Sequence, residues 1–268
     1  MIQSPSSIST YKQCPRKYYY QYILRLKRKP NIHQIVGGIA HSVLENFFIL
    51  DLGDAQDHKT QLQKHMLTLL DNQWNYRKKE IESFNLSQTE KNYYSNELSL
   101  MLINWLNQFF DKIDKDMKNG FSFNESFKRL APGIREYNIV SESLMVQGFI
   151  DAVENRDGKV RLMDYKTSKN NLIDEAQKLQ LAIYALLYKE KHGVQPDKVG
   201  VYFLKHDEQD MEVDQDLLKN AMFEIEQIHM STESNDLKDY LKSQSPLCKW
   251  STGKCDFYDV CVNQKELS

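Results

Sequence analysis

The sequence predicts a mixed α/β fold of the α+β kind: a central sheet of about four to five strands, flanked by helices and carrying a helical insertion. Three observations point there. Val146 to Ser168 reads as one β-hairpin, because two runs rich in β-branched and aromatic residues flank Asn155-Arg156-Asp157-Gly158-Lys159. A helical stretch over 173–191 leads into an apolar run at 199–206, which adds a strand on the far side of a helix. Between 51 and 127 the apolar residues recur at helical spacing instead.

Taken in order, Ser4-Pro5-Ser6-Ser7 signals a helix start and a short helix from Ile8 to Gln13. Next comes Cys14-Pro15-Arg16-Lys17-Tyr18-Tyr19-Tyr20-Gln21-Tyr22, running into Arg25, Lys27, Arg28 and Lys29. Arg16, Lys17 and Tyr18 are candidates for DNA binding, with phosphates on the cations and bases stacked on rings. Tyrosines at near-helical spacing serve equally well to pack a helix onto the sheet, and both readings stand. Gly37-Gly38 precede an amphipathic helix from Ile39 to Phe48, on which His41 and Glu45 point the same way. Glu45 reads either as a partner of His41 or a second metal, or as a plain surface acid.

Leu62, Met66, Leu69, Leu70 and Trp74 form one stripe, and Leu98, Met101, Leu102, Trp105, Leu106, Phe109 and Ile113 form another. Both are core stripes. The polar segment Lys78 to Asn92 holds the connection, so 51–130 is expected to be a helical insertion or lobe. Strands follow near 135–142, 144–153 and 160–167.

The hairpin register carries the chemistry. With Asp157-Gly158 as the loop, Arg156 faces Lys159, and counting back sets Asp151 opposite Asp164 with β-carbons about 5 Å apart. Lys166, two residues beyond Asp164, shares that face. Facing carboxylates repel unless a cation sits between them, and hard Mg²⁺ or Mn²⁺ ions with oxygen ligands suit such a pair. The bland alternative is a surface hairpin with scattered charges. Beyond Lys166-Thr167-Ser168, Asn171 or Asp174 caps the next helix. Gln177, Gln180 and Tyr184 share one stripe of it, where they either hydrogen-bond DNA or hold the metal-bound loop in position, the alternative for Tyr184 being to pack beside Leu181 and Leu187. A last helix is expected over 215–230.

The chain has 268 residues, and 35 Lys and Arg against 37 Asp and Glu give a net charge of −2, so any nucleic-acid surface is local. No apolar run suits a membrane span and the N-terminus lacks a signal-peptide pattern, which places the expected location in the cytoplasm. There, four cysteines suggest a metal centre rather than disulfides. Cys248, Cys255 and Cys261 are spaced C-x6-C-x5-C, with Cys14 as the distant fourth.

G-F-I-D, then D-Y-K-T after a hairpin, then Q-L-A-I-Y on a helix together resemble the PD-(D/E)XK nuclease superfamily. The likeness is greatest to its RecB-like branch, with the CRISPR-associated RecB-like exonucleases and the AddB-type nuclease domains. It implies a restriction-endonuclease-like core in one domain spanning 1–268, although Leu50 to Arg135 carries no matching motif. It also implies that Asp151, Asp164, His41 and the Tyr165 carbonyl bind metal, and that Lys166 is catalytic. Gln180 and Tyr184 match the branch's Q-x-x-x-Y feature. Cys14 with Cys248, Cys255 and Cys261 is similar to a 4Fe-4S clasp of the chain ends. Six residues rather than two separate Cys248 from Cys255, which leaves zinc or no metal open.

The activity so implied is a Mg²⁺- or Mn²⁺-dependent DNA nuclease, an exonuclease on single-stranded ends in recombination, repair, phage replication or CRISPR-related processing. A structure-specific or flap endonuclease and a non-catalytic DNA-binding subunit of a recombination or helicase assembly are the alternatives. DNA is the expected partner, with a helicase, recombination or CRISPR adaptation partner beside it.

Overall fold

The computed structural model describes residues 1–53, 57–251 and 253–263. Positions 54–56 of the expected insertion, 252 of the cysteine stretch and the last five residues of the 1–268 span lie outside the described residues. Helices α1 (Pro5–Gln13) and α2 (Pro15–Tyr18) open the chain, and α3 (Ile32–Phe47), α4 (His58–Tyr76), α5 (Lys78–Glu82), α6 (Gln88–Lys118) and α7 (Phe123–Leu130) follow. Then come β1 (Ile134–Ser141), β2 (Val146–Arg156), β3 (Lys159–Lys166), α8 (Glu175–His192), β4 (Lys198–Phe203), β5 (Glu208–Glu212) and α9 (Gln215–Ser231). A small ribbon of β6 (Lys249–Trp250) and β7 (Gly253–Lys254) precedes α10 (Tyr258–Asn263).

Five strands make one mixed sheet in the order β1-β2-β3-β4-β5, parallel only between β3 and β4. That parallel step needs a crossover, and α8 supplies it. Asp174 caps α8 by accepting the Gln177 N–H, while the Gln177 side chain accepts the Asp174 N–H. Asp157 and Gly158 both take positive φ, 52° and 78°, the geometry of a two-residue type I′ turn. The register then follows as expected from Arg156↔Lys159 to Ala152↔Met163. β5, with sequence EQDME, is a short polar edge strand, which suits an edge that must not pair with another chain.

The two faces of the sheet have separate apolar cores. On one, α3, α4, α6 and α7 join Ala152, Met163, Tyr165 and Tyr202 of the sheet in a single cluster. Leu62, Met66, Leu70 and the whole Leu98 to Ile113 stripe are buried there, whereas Leu69 and Trp74 are only partly so. On the other face, α8 and α9 cover Ile150, Leu162, Val199 and Val201. Helix α3 corrects one expectation: it starts at Ile32, capped by Asn31, instead of at Ile39. Gly37 and Gly38 therefore lie inside it. Each glycine costs about 1 kcal/mol of helix stability, and the buried stripe Ile32, Val36, Ile39, Val43 and Phe47 outweighs that.

A third cluster joins the chain ends. Tyr18, Tyr19 and Tyr20 pack with Tyr240 and Phe257, against which Cys255 and Cys261 also lie. Among the described residues no helix is long and apolar enough to cross a membrane.

Candidate active site

The β2–β3 ladder stops at Ala152↔Met163, one pair short of Asp151 and Asp164. Beyond it, the Tyr165 N–H donates to Asp151 Oδ2 at 2.6 Å instead of to a backbone carbonyl. Both aspartates are buried, at 7% and 3% exposure. His41 reaches over from α3, with Nδ1 3.1 Å from Asp151 Oδ1 and Nε2 3.0 Å from the Tyr165 carbonyl oxygen. Both partners are acceptors only, so the ring carries two N–H donors and a positive charge. Burial opposes that charge, but hydrogen bonds to Asp151 and Glu136 and the charges of Asp151 and Asp164 outweigh it and hold the imidazolium at a pKa of about 10.

Asp164 is held from the other side. Lys166 Nζ lies 2.7 Å from its Oδ2, and Gln180 Nε2 donates to its Oδ1 at 2.8 Å. The same amide nitrogen donates to Tyr184 Oη at 2.7 Å, and Gln180 Oε1 accepts from Lys166 Nζ at 3.1 Å. Burial, and then the charge on Asp151, push the Asp164 carboxyl up to about 6 against the pull of Lys166 and His41. Its Oδ2 is buried and, despite the nearby ammonium, makes no well-directed hydrogen bond. The Tyr184 ring lies in the core with Leu187, as its packing reading expects, and its hydroxyl accepts from Gln180. Gly148 makes this possible, since a β-carbon there would meet the Tyr184 ring and Leu187 at about 3.0 Å.

The structure adds one acid that the sequence reading missed. Glu136 in β1 sits between the pairs Arg135↔Ala152 and Tyr137↔Ile150, facing Asp151 but unpaired, with a left-handed φ of 46°. Its Oε1 lies 3.8 Å from His41 Nδ1, and ligand atoms of His41, Glu136 and Asp151 all fall within 4.8 Å of one another. Left-handed backbone at a glutamate costs on the order of 1 kcal/mol, and no periodicity announces it. The register across β1 and β2, counted in the same way as that of β2 and β3, would have set Glu136 opposite Asp151. Glu45 lines the open cleft with Gly37, Gly38, His41, Ser42 and Glu136, but lies outside that ligand group.

The N-terminal expectations divide. Tyr18 is fully buried and exchanges hydrogen bonds with Gln3, so it has no face for a base. Tyr240 and Phe257, more than two hundred residues away, complete the apolar cluster that claims the ring. Packing is the correct reading there. Arg16 Nε donates to the Tyr240 carbonyl, Lys17 Nζ donates to Gln13, and Gln177 is occupied in the cap of α8. All four cysteines are free thiols and line one cavity of about 540 Å³ together with Arg16, Lys17 and Lys242.

Comparison with known proteins bears on the family and the fold. The chain is 39% identical over 74 residues to the gene 69 protein of Mycobacterium phage D29, covering 27% of this chain and 26% of that one. It is 27% identical over 203 residues to a subunit of the ATP-dependent helicase/deoxyribonuclease of Carboxydothermus hydrogenoformans, covering 70% of this chain and 18% of that one. The chain thus spans about a quarter or less of the length of these relatives. A crystal structure of an exonuclease candidate from Eubacterium rectale shares the fold, with a TM-score of 0.53 at 13% identity, over 99% of this chain and 89% of the other. The PD-(D/E)XK nuclease superfamily model matches residues 3–262, and the chain belongs to that superfamily.

Proposed function

We propose that the chain hydrolyses phosphodiester bonds in DNA with bound Mg²⁺ or Mn²⁺, acting as an exonuclease on single-stranded ends. The observation that carries this is the meeting of His41, Glu136 and Asp151 ligand atoms within 4.8 Å of one another, with the buried Asp164 and its Lys166 partner on the neighbouring strand. The donor set fits a hard divalent ion. His41 now spans Asp151 and the Tyr165 carbonyl as an imidazolium, and a bound cation at the same oxygens would supersede that proton. His41, Asp151, Asp164 and the Tyr165 carbonyl would hold the ion, with Glu136 beside them. When bound, it would polarise the scissile phosphate and lower the pKa of a coordinated water.

The chain's own groups then have distinct tasks. Lys166 Nζ, steered by Gln180 Oε1, orients the attacking water and offsets charge building on the phosphate. Gln180 and Tyr184 keep Asp164 aimed at the same point. We read 1–268 as one nuclease domain, 51–130 as its helical lobe, and Arg16, Lys17, Gln177 and Gln180 as lying along the DNA path. A helicase or recombination protein is the partner we expect.

We read the cysteines as ligands of a 4Fe-4S clasp. Four thiols at one cavity are the right donors. Anaerobic preparation with iron, sulfide and zinc assays tests this. For the nuclease, labelled single-stranded DNA with Mn²⁺ should be degraded by the native chain and left intact by Asp164→Ala and Lys166→Ala, both still folded. Cleavage of circular strands would turn the reading from exonuclease to endonuclease, and full activity in either variant would end it.

A further inference from the structure

Beside the cysteine cavity lies a second depression of about 460 Å³, lined by Lys17, Arg28, Lys29, Trp250, Lys254 and Asp256 among others. Four cations and one acid line it: Arg28 pairs with that acid, Asp256, at 3.5 Å, and Lys254 pairs with the neighbouring Asp259 at 2.6 Å, so among the described residues Lys17 and Lys29 are the two cations outside any ion pair. The chain as a whole is slightly acidic, so this local excess of positive charge is a feature of the place. Trp250 is 47% exposed on the tip of the β6–β7 ribbon. Its ring is not loose: a β-carbon at Gly253 would come within 2.8 Å of the indole carbons, so the ring lies close against bare backbone. One face is thereby fixed while the remaining surface meets solvent.

We infer that this groove seats single-stranded DNA, with a base stacked on Trp250 and phosphates on Lys17, Arg28, Lys29 and Lys254. The inference rests on the nuclease reading for its substrate and adds the route by which the strand arrives. Asn31 and Ile32, at the start of α3, line the groove, and His41 lies nine residues further along the same helix. At 1.5 Å per residue that is about 14 Å, or roughly four nucleotides at a stacked spacing of 3.4 Å. A flat ring flanked by cations is the pattern of sequence-tolerant single-strand binding. An apolar partner helix would meet too many charges here.

The test uses the full chain with its clasp intact and Ca²⁺ in place of a catalytic ion. Binding of dT20 is followed by tryptophan quenching and by anisotropy of a labelled strand. Trp250→Ala should weaken dT20 binding roughly ten- to a hundredfold, with Trp250→Phe in between, while thermal melting stays unchanged. A combined Lys17→Ala and Lys29→Ala change should lower the slope of log affinity against log salt by about 1.4. Affinity should also climb with strand length until about six nucleotides and then level off. Binding of dT20 by Trp250→Ala within twofold of the native value overturns the inference, as does equal competition by polyglutamate or preferential binding of U20. If the native chain fails to cleave DNA with Mn²⁺ yet Trp250→Ala loses dT20, the nuclease reading falls and the groove stands. Cleavage by the native chain with unaltered dT20 binding by Trp250→Ala does the reverse: the nuclease stands and the groove falls.

Discussion

Replacing Gln180 by Ala removes one amide that serves three groups at once. Its nitrogen donates to Asp164 Oδ1 at 2.8 Å and to Tyr184 Oη at 2.7 Å, and its oxygen accepts from Lys166 at 3.1 Å. Asp164 is only 3% exposed, so water cannot readily replace the lost donor. Leaving such a buried acceptor short of a partner costs about 1–3 kcal/mol, more at the upper end for a charged group. If the penalty falls on the aligned state of Asp164 and Lys166, the cleavage step slows roughly 5- to 150-fold. Single-turnover cleavage of end-labelled single-stranded DNA with saturating Mn²⁺ measures this, and thermal melting separates it from unfolding. Tyr184→Phe should lose less, since Gln180 keeps its other two contacts, and the double variant should slow less than the product of the two single effects. Native cleavage by a folded Gln180→Ala chain would show that the amide only decorates the site.

Three further outcomes follow from the same structure. Gly148→Ala would press a methyl group against Tyr184 and Leu187 and should cost about 1–3 kcal/mol in melting stability while also slowing cleavage, which a remote packing defect would not do. Glu136→Gln should weaken Mn²⁺ binding by calorimetry several-fold while the fold persists, and unchanged affinity would remove Glu136 from the ligand group. For Glu208, burial favours the neutral acid, but Lys112 and Arg161 outweigh it and hold the carboxyl at about 2, below its usual 4.5. Its contribution is therefore present above pH 4.5 and fades as pH falls toward 2, by at most roughly 3 kcal/mol. The stability gap between the native chain and Glu208→Gln should shrink between pH 5 and 2.5, and parallel acid unfolding curves would refute it.

What could be read from the residues was whatever local chemistry dictates. Asp157-Gly158 sets a turn by its own backbone preferences, the turn sets the register, and the register brings Asp151 and Asp164 to the same end of the hairpin. The Leu98 to Ile113 stripe was legible because a helix must bury one side. The misses needed partners remote in sequence. Glu136 serves the site only because a left-handed residue interrupts β1 opposite Asp151. Tyr18 looked available for stacking until Tyr240 and Phe257 covered it. The first turns of α3 were obscured by Gly37-Gly38, whose cost is overridden by residues on other helices. β5 has no apolar alternation, and its place depends on Gly200 admitting its backbone: a β-carbon there would lie 2.4 Å from the Gln209 carbonyl oxygen.

The tyrosine cluster has a bearing on the order in which the molecule assembles. Gln3 hydrogen-bonds to Thr232, and Tyr18 stacks parallel to Tyr240 with centroids 6.1 Å apart, so the earliest residues wait on the latest ones. Contacts across such separations form late, after the sheet and its helices have condensed. The opening segment should accordingly be the first part to exchange its amide protons and the first to loosen under mild denaturant, while the hairpin bearing Asp151 and Asp164 stays closed. The cluster proposed for the four thiols would then act as a latch on that seam.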